Sequence, residues 1–147
     1  MKEIDHDHSK AVKFYNLGLG DKDSTTNKGW KLKTLSSIYS MLKPINGNAT
    51  IDYLKIDVES AEWSAIPNII KTGMLAKVRQ LGVEFHWSKQ QNLQYFRQRV
   101  DIVKAIEDAG MIRFDSKYNP WFKGHIPALN NYTGSLGYEI AWYQILP

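Results

Sequence analysis

The stretch from Tyr53 to Trp63 reads YLKIDVESAEW, and the prediction of the fold starts from it. Residues 53–58 are predicted to form a strand, because apolar and β-branched residues dominate up to the acids. Apolar residues then recur at helical spacing on one face from 66 to 74. Because proline is tolerated only in the first turn of a helix, Pro67 predicts either a bend or a helix that begins near Ile66.

The same alternation of strand and helix continues on both sides of this stretch. The apolar pattern predicts strands at 12–17, 53–58, 80–85, 111–114 and 137–146, and helices at 35–42, 66–74 and 93–106. Residues 21–33 and 118–136 are predicted to be loops, and aromatic loops as long as the second are often functional. The alternation favours an α/β fold with a largely parallel sheet, in which the last two strands form an antiparallel pair at one side.

Length and composition restrict the classes of protein. The 147 residues suit one domain, and the absence of cysteine excludes disulfides, cysteine-ligated zinc and thiol nucleophiles. The densest basic group, Lys28, Lys31 and Lys33, is interrupted by uncharged residues and is typical of a solvated loop, so nucleic acid is not an expected partner. The sequence contains no apolar run of about 18 residues, so no membrane-spanning helix is predicted.

The candidate site lies where the predicted strands end, because ligands of open α/β sheets bind beyond the carboxyl ends of the strands. Asp57 ends one strand, and Glu84 and His86 end the next. Asp57 is placed for general-base or metal chemistry; alternatively it caps the following helix or pairs with a lysine. Glu84 and His86 are two residues apart and point the same way on a regular strand, so with Asp57 they predict a possible hard-ligand site for Mg²⁺ or Mn²⁺. A hydrogen-bonded histidine in a pocket wall is the alternative for His86.

Four blocks of the sequence resemble one family. Residues 53–63 resemble the Leu-Lys-Ile-Asp-Val-Glu-Gly-Ala-Glu block of FkbM-type and related methyltransferase-like proteins. Residues 80–86 and 137–142 resemble later blocks of the animal methyltransferase-like branch, and 15–21 resemble the segment ahead of them. One departure is Ser60, which stands where the family usually has glycine.

The resemblance implies a class I S-adenosylmethionine-dependent methyltransferase fold with strand order 3-2-1-4-5-7-6. The five predicted strands then correspond to strands 3 to 7. Strands 1 and 2 and the glycine-rich cofactor loop have no counterpart in the sequence. We therefore expect residues 1–147 to be a single partial domain, the C-terminal part of a methyltransferase, with Met1 an internal methionine of a longer ancestor. The localisation is left open: the sequence as it stands indicates the cytoplasm, and an upstream segment would be free to carry a signal or an anchor.

The resemblance also implies roles for particular residues. Asp57 becomes the strand-4 acid near the methyl-transfer centre, and Gly20 and Asp21 become cofactor-binding candidates, Asp21 near the adenine of S-adenosylmethionine. Some sugar O-methyltransferases of similar fold hold a divalent ion with acids at these strand ends, which would involve Asp57 and Glu84. We expect methyl transfer to a hydroxyl of a small molecule or glycan, with Asp57, alone or together with His86, removing its proton directly or through a bound ion.

The sequence also suggests residues of the acceptor pocket and two alternative functions. Trp121 and Phe122 are expected to help shape the acceptor pocket. One alternative is a catalytically inactive remnant that acts as a binding module through the strand-end cleft. The other is a different α/β enzyme with a metal at Asp57, Glu84 and His86. The oligomeric state is left open.

Overall fold

The computed structural model describes residues 4–145, which contain three α-helices and eleven strands. The helices are α1 (Leu35–Asn46), α2 (Glu62–Lys71) and α3 (Leu93–Asp108). The strands are β1 (His6–Ser9), β2 (Val12–Phe14), β3 (Gly18–Leu19), β4 (Ser24–Thr25), β5 (Lys31–Lys33), β6 (Ile51–Ile56), β7 (Val78–His86), β8 (Ile112–Tyr118), β9 (Lys123–Ile126), β10 (Tyr132–Ser135) and β11 (Gly137–Tyr143). No helix in this part of the chain is long and apolar enough to cross a membrane.

The main sheet has four strands in the order β6-β7-β11-β8. β6 and β7 are parallel, and β11 runs antiparallel to both β7 and β8. The antiparallel pairing of the last two predicted strands is therefore present. Because β6 and β7 run in the same direction, the residues that follow their carboxyl ends lie at the same edge of the sheet. The result is a mixed α/β architecture, consistent with the α/β class expected from the sequence.

The core lies between the sheet and the helices α2 and α3, which pack against each other. Phe85 and Trp142 are buried side by side on neighbouring strands, and Ile66 of α2 and Ile106 of α3 belong to the same buried cluster. Burial of each such side chain contributes roughly 1.5–3 kcal/mol to folding. This packing fixes the position of the start of α2 relative to the end of β7.

The strand predicted at 12–17 is observed only over Val12–Phe14 and does not join the main sheet, and its assignment to strand 3 stays a prediction. Val12–Phe14 instead forms a hairpin with His6–Ser9, and Gly18–Leu19 pairs in parallel with Lys31–Lys33 in a separate small sheet. Val12 and Lys13 are exposed, so the apolar residues here are too few to cover a central strand. Part of the predicted loop 21–33 is thus paired backbone.

Two further boundaries differ from the predictions. α2 begins at Glu62, ahead of the predicted start at Ile66, because Trp63 and Ala65 are buried and extend the packed face toward the N-terminus. The predicted loop 118–136 contains the hairpin β9–β10 and a short 3₁₀ turn. Gly124 lies opposite Gly134 in this hairpin, and short strands of this kind carry weak periodicity. The predicted last strand ends earlier, at Tyr143, and its predicted final residue lies outside the described residues.

Candidate functional site

The carboxyl ends of β6 and β7 bring together five titratable residues, here called the strand-end cluster. Its members are Asp57, Glu59, Glu62, Glu84 and His86. Asp57 follows β6 directly, and Glu84 and His86 are the alternate residues at the end of β7. The structure therefore brings together the three predicted catalytic residues and adds Glu59 and Glu62 to them.

His86 is held in place by the first turn of α2. The Glu62 side chain is fully buried, and its Oε1 accepts hydrogen bonds from the His86 backbone N at 2.8 Å and from Nδ1 at 3.2 Å. The carbonyl oxygen of His86 accepts a third hydrogen bond, from the Trp63 indole at 2.8 Å. Because Nδ1–H donates to Glu62, the lone pair of the neutral imidazole lies on Nε2. The orientation and the tautomer of His86 are thus set by a buried carboxylate.

The Nε2 atom of His86 faces three further carboxylates. It lies 3.9 Å from Oδ1 of Asp57, 3.7 Å from Oε2 of Glu59 and 3.8 Å from Oε1 of Glu84. None of the ion pairs between residues 4 and 145 joins a carboxylate of the cluster to a lysine or an arginine. The cluster therefore concentrates carboxylates around one imidazole, an arrangement that attracts cations.

Glu59 reaches the cluster through an unusual backbone conformation. Glu59 and Ser60 have φ angles of 49° and 80°, in the left-handed region that non-glycine residues rarely adopt. Strain of this kind is typical of functional sites, where the surrounding structure holds it in place. Ser60 is also the position at which the resembling family usually has glycine, and its φ supplies the physical reason for that preference.

The loop after β8 covers the cluster from the side. Asn119 donates from Nδ2 to Oε1 of Glu84 at 3.0 Å, and its Oδ1 accepts from the backbone N of Trp121 at 2.9 Å. The ring centroid of Phe122 lies 6.0 Å from that of His86, whereas Trp121 is 91% exposed. Phe122 therefore closes one side of the cluster, and Trp121 points into solvent. A role for either residue in an acceptor pocket stays a prediction.

Comparison with protein-family models identifies the family of the chain. A model described as a methyltransferase domain matches residues 3–129, which is most of the chain. The chain belongs to this family. No curated protein and no solved structure gives a significant match.

The two predicted cofactor residues of the methyltransferase domain lie outside the strand-end cluster. Gly20 is buried, and a Cβ at this position would lie 3.3 Å from Cβ of Leu32, so the glycine permits close packing against β5. Its N–H donates to the Lys33 carbonyl at 2.9 Å and is satisfied within the protein. Asp21 is exposed, and its carbonyl oxygen accepts from Asn68 of α2 at 2.9 Å. Cofactor binding by Gly20 and Asp21 stays a prediction.

Sequence reasoning missed the part played by two acids of the methyltransferase domain. Acids at the start of a helix are ordinarily favoured by the helix dipole, so the sequence alone gives Glu59 and Glu62 no distinguishing role. The structure uses Glu62 to hold His86, and it places Glu59 rather than Glu84 with Asp57 and His86 in a set whose ligand atoms all lie within 4.8 Å of one another. A weak signal was present, since Glu62 stands directly before an apolar stretch that had to be buried.

The face of β7 opposite to Glu84 and His86 is apolar. A cavity of about 570 Å³ lies between α3, β11 and the hairpin β9–β10, and Phe85, Trp87, Phe96 and Ile140 contribute to its wall. The indole Nε1 of Trp87 is buried without a hydrogen-bond partner among residues 4–145. This cavity is separate from the strand-end cluster and is an apolar candidate binding region of the methyltransferase domain.

Proposed function

We propose that this methyltransferase domain transfers a methyl group from S-adenosylmethionine to a hydroxyl group of a small molecule or glycan. The observation that carries the proposal is the strand-end cluster, in which buried Glu62 holds His86 with Nε2 facing Asp57. The four blocks that resemble FkbM-type and animal methyltransferase-like proteins support it. The sheet order β6-β7-β11-β8 also matches the 4-5-7-6 part of the order that the resemblance implies.

The chemistry of the cluster suits the cofactor. S-adenosylmethionine supplies an electrophilic methyl group on a positively charged sulfonium. Asp57 and Glu59 carry negative charge that no lysine or arginine among residues 4–145 neutralises, so they favour a cation nearby. Their carboxylates are also suitable acceptors for hydroxyl groups of a ribose or of the methyl acceptor.

The residues of the chain supply the proton chemistry. With the cofactor bound, His86 would accept the proton of the acceptor hydroxyl at Nε2, so that the hydroxyl oxygen would take the methyl group as its C–S bond breaks and S-adenosylhomocysteine leaves. Glu62 stabilises the resulting imidazolium through its hydrogen bond to Nδ1, and Asp57 and Glu59 stabilise the charge on the Nε2 side. Glu84, held by Asn119, completes the negative surroundings of the ring.

Calorimetric titration of the 147-residue chain with S-adenosylmethionine tests the proposal. The proposal expects saturable binding with a Kd below about 100 µM, which corresponds to about −5.5 kcal/mol, and such binding would mean that the chain forms a cofactor site without the glycine-rich loop. We also expect weaker binding of S-adenosylhomocysteine, because its neutral thioether lacks the positive charge that the acids attract. Removal of one charge by Asp57→Asn should reduce this preference about fivefold, from a Coulomb energy of about 1 kcal/mol at contact distance in water.

Glu139→Gln is the matched control, because it removes a carboxylate that pairs with Lys117 and takes no part in the cluster. The preference for the charged cofactor should be unchanged in this variant. A folded chain that binds neither compound would contradict the proposal and favour the alternative, a catalytically inactive binding module. The apolar cavity over Phe85 is the observation that favours this second candidate.

The distribution of basic residues bears on the chemical class of the methyl acceptor. We propose an acceptor that is a small molecule or glycan rather than a nucleic acid. Lys28, Lys31 and Lys33 are spread over a short segment, and Lys33 pairs with Asp23 at 2.9 Å. This segment therefore forms no uninterrupted basic stripe that would follow a phosphate backbone.

A further inference from the structure

We infer that Asp57, Glu59 and His86 form a binding site for a divalent cation of the Mn²⁺ type. The inference concerns the same atoms as the proposed proton transfer, but it is independent of methyl transfer because it predicts binding of the metal alone. Proton and metal compete for the lone pair on Nε2, so each excludes the other. In the metal-bound form the cation, rather than Nε2, would be the group that polarises an acceptor oxygen.

The geometry places three donors around one point. Nε2 of His86 lies 3.9 Å from Oδ1 of Asp57 and 3.7 Å from Oε2 of Glu59. Both separations are shorter than twice a metal–ligand distance of about 2.1 Å, so one cation can contact all three atoms after small side-chain adjustments. The donor set, two carboxylates and one imidazole, suits ions that accept both oxygen and nitrogen ligands, such as Mn²⁺.

The buried carboxylate behind His86 provides an independent observation. Histidines that bind metals usually donate their other ring N–H to a carboxylate or carbonyl, which fixes the tautomer and makes the free nitrogen more basic. Glu62 does this from a fully buried position, with Oε1 3.2 Å from Nδ1 of His86. Its Oε2 is buried without a partner among residues 4–145, so the structure retains a costly carboxylate beside the imidazole.

The local charge and backbone agree with this assignment. Four carboxylates surround one imidazole, and none of them pairs with a lysine or an arginine among residues 4–145. A divalent cation would offset part of their charge. The left-handed conformations of Glu59 and Ser60 turn the chain so that Glu59, an otherwise exposed side chain, approaches Nε2. Glu84 is excluded from the set because its Oε1 is held by Asn119.

The test uses Mn²⁺ alone with the purified 147-residue chain, and free Mn²⁺ is followed by its electron paramagnetic resonance signal. We expect saturable binding of one Mn²⁺ per chain. Glu62→Gln should weaken it by about 10–100-fold, as is typical when the partner of a metal-binding histidine is changed. Glu59→Gln should weaken it at least about tenfold, because it removes a direct ligand.

Glu59→Gln keeps the test decisive even when Glu62→Gln fails to fold, because the Glu59 side chain is 88% exposed and contributes nothing to the core. Glu139→Gln on the same sheet face should bind Mn²⁺ like the unaltered chain. The inference is wrong if the folded chain shows no saturable binding, or if Glu59→Gln and Glu139→Gln bind equally well. Failure of S-adenosylmethionine to bind, with Mn²⁺ binding intact, would contradict only the proposed function.

Discussion

Phe85 and its neighbours Glu84 and His86 belong to one strand but face opposite sides of the main sheet. On one side Phe85 is buried between Trp63, at a centroid distance of 4.6 Å, and Trp142, at 6.2 Å. On the other side Glu84 and His86 join a cluster of carboxylates. Because side chains alternate along a strand, one segment supplies both the core and the candidate site.

The difference shows how stability and function are divided between the two faces. The apolar face gains free energy from every atom removed from water. The charged face gathers like charges, as where Glu84 stands directly opposite Glu139 on β11, and such pairs oppose folding. The carboxylates at these positions therefore lower the stability of the fold. Their presence is better explained by a function than by a contribution to folding.

The largest expected effect is on the apolar face. Phe85→Ala should lower the free energy of unfolding by about 3–5 kcal/mol, because it leaves a cavity between two indole rings. Urea unfolding followed by circular dichroism measures this change. A loss below about 1 kcal/mol would mean that the aromatic packing contributes little and that the two faces do not differ as described.

Glu84→Gln is the comparison on the charged face of the same strand. The new side chain still accepts the hydrogen bond from Asn119 and removes one of two opposed charges, so the free energy of unfolding should change by less than about 0.5 kcal/mol. A large destabilisation here would contradict the view that this face carries function rather than stability.

An effect between those of Phe85→Ala and Glu84→Gln is expected at the turn that brings Glu59 to the cluster. Ser60→Gly should raise the free energy of unfolding by about 1 kcal/mol, because glycine adopts a φ of 80° without steric strain. Ser64→Gly, inside α2, should lower it by roughly 0.5 kcal/mol, since glycine is unfavourable within a helix. Thermal unfolding of both variants measures the two shifts, and the same sign in both would refute the strain at Ser60.

The smallest effect concerns pH on the charged face. Nζ of Lys117 lies 2.9 Å from Oε2 of Glu139. The hydrogen bond between them lowers the pKa of Glu139 below its ordinary value of 4.5 and raises the pKa of Lys117. A carboxylate with a lowered pKa in the folded state adds stability above its ordinary pKa, and this is lost as the pH falls through the folded-state value. Both side chains are more than a third exposed, so solvent screening keeps the contribution small.

Glu139→Gln should therefore be slightly less stable than the unaltered chain at neutral pH and should lose less stability on acidification. Urea midpoints measured between about pH 3 and 6 give the comparison, since this range brackets the titration of the group. Parallel curves for the two proteins would show that the pair with Lys117 contributes nothing to folding.

The sequence predicted much of the main sheet correctly. The apolar runs that became β6 and β7 and the periodicity of α3 were strong enough to survive any tertiary context, and their order led to a common edge with Asp57 and His86. The short strands were harder to predict from the sequence. Val12–Phe14 and the hairpin β9–β10 hold too few buried residues for periodicity to distinguish them from loops.

By itself, the sequence determined that acids and one imidazole would meet at the ends of two parallel strands, because alternation and strand polarity are local properties of the chain. Only the tertiary structure decided which of those groups touch. Packing of Trp63 against Phe85 moved the start of α2 to Glu62 and thereby buried its carboxylate against Nδ1 of His86. The left-handed turn at Glu59 and Ser60 then brought in an acid that no periodicity could place, because its position depends on backbone angles set by the packing around it.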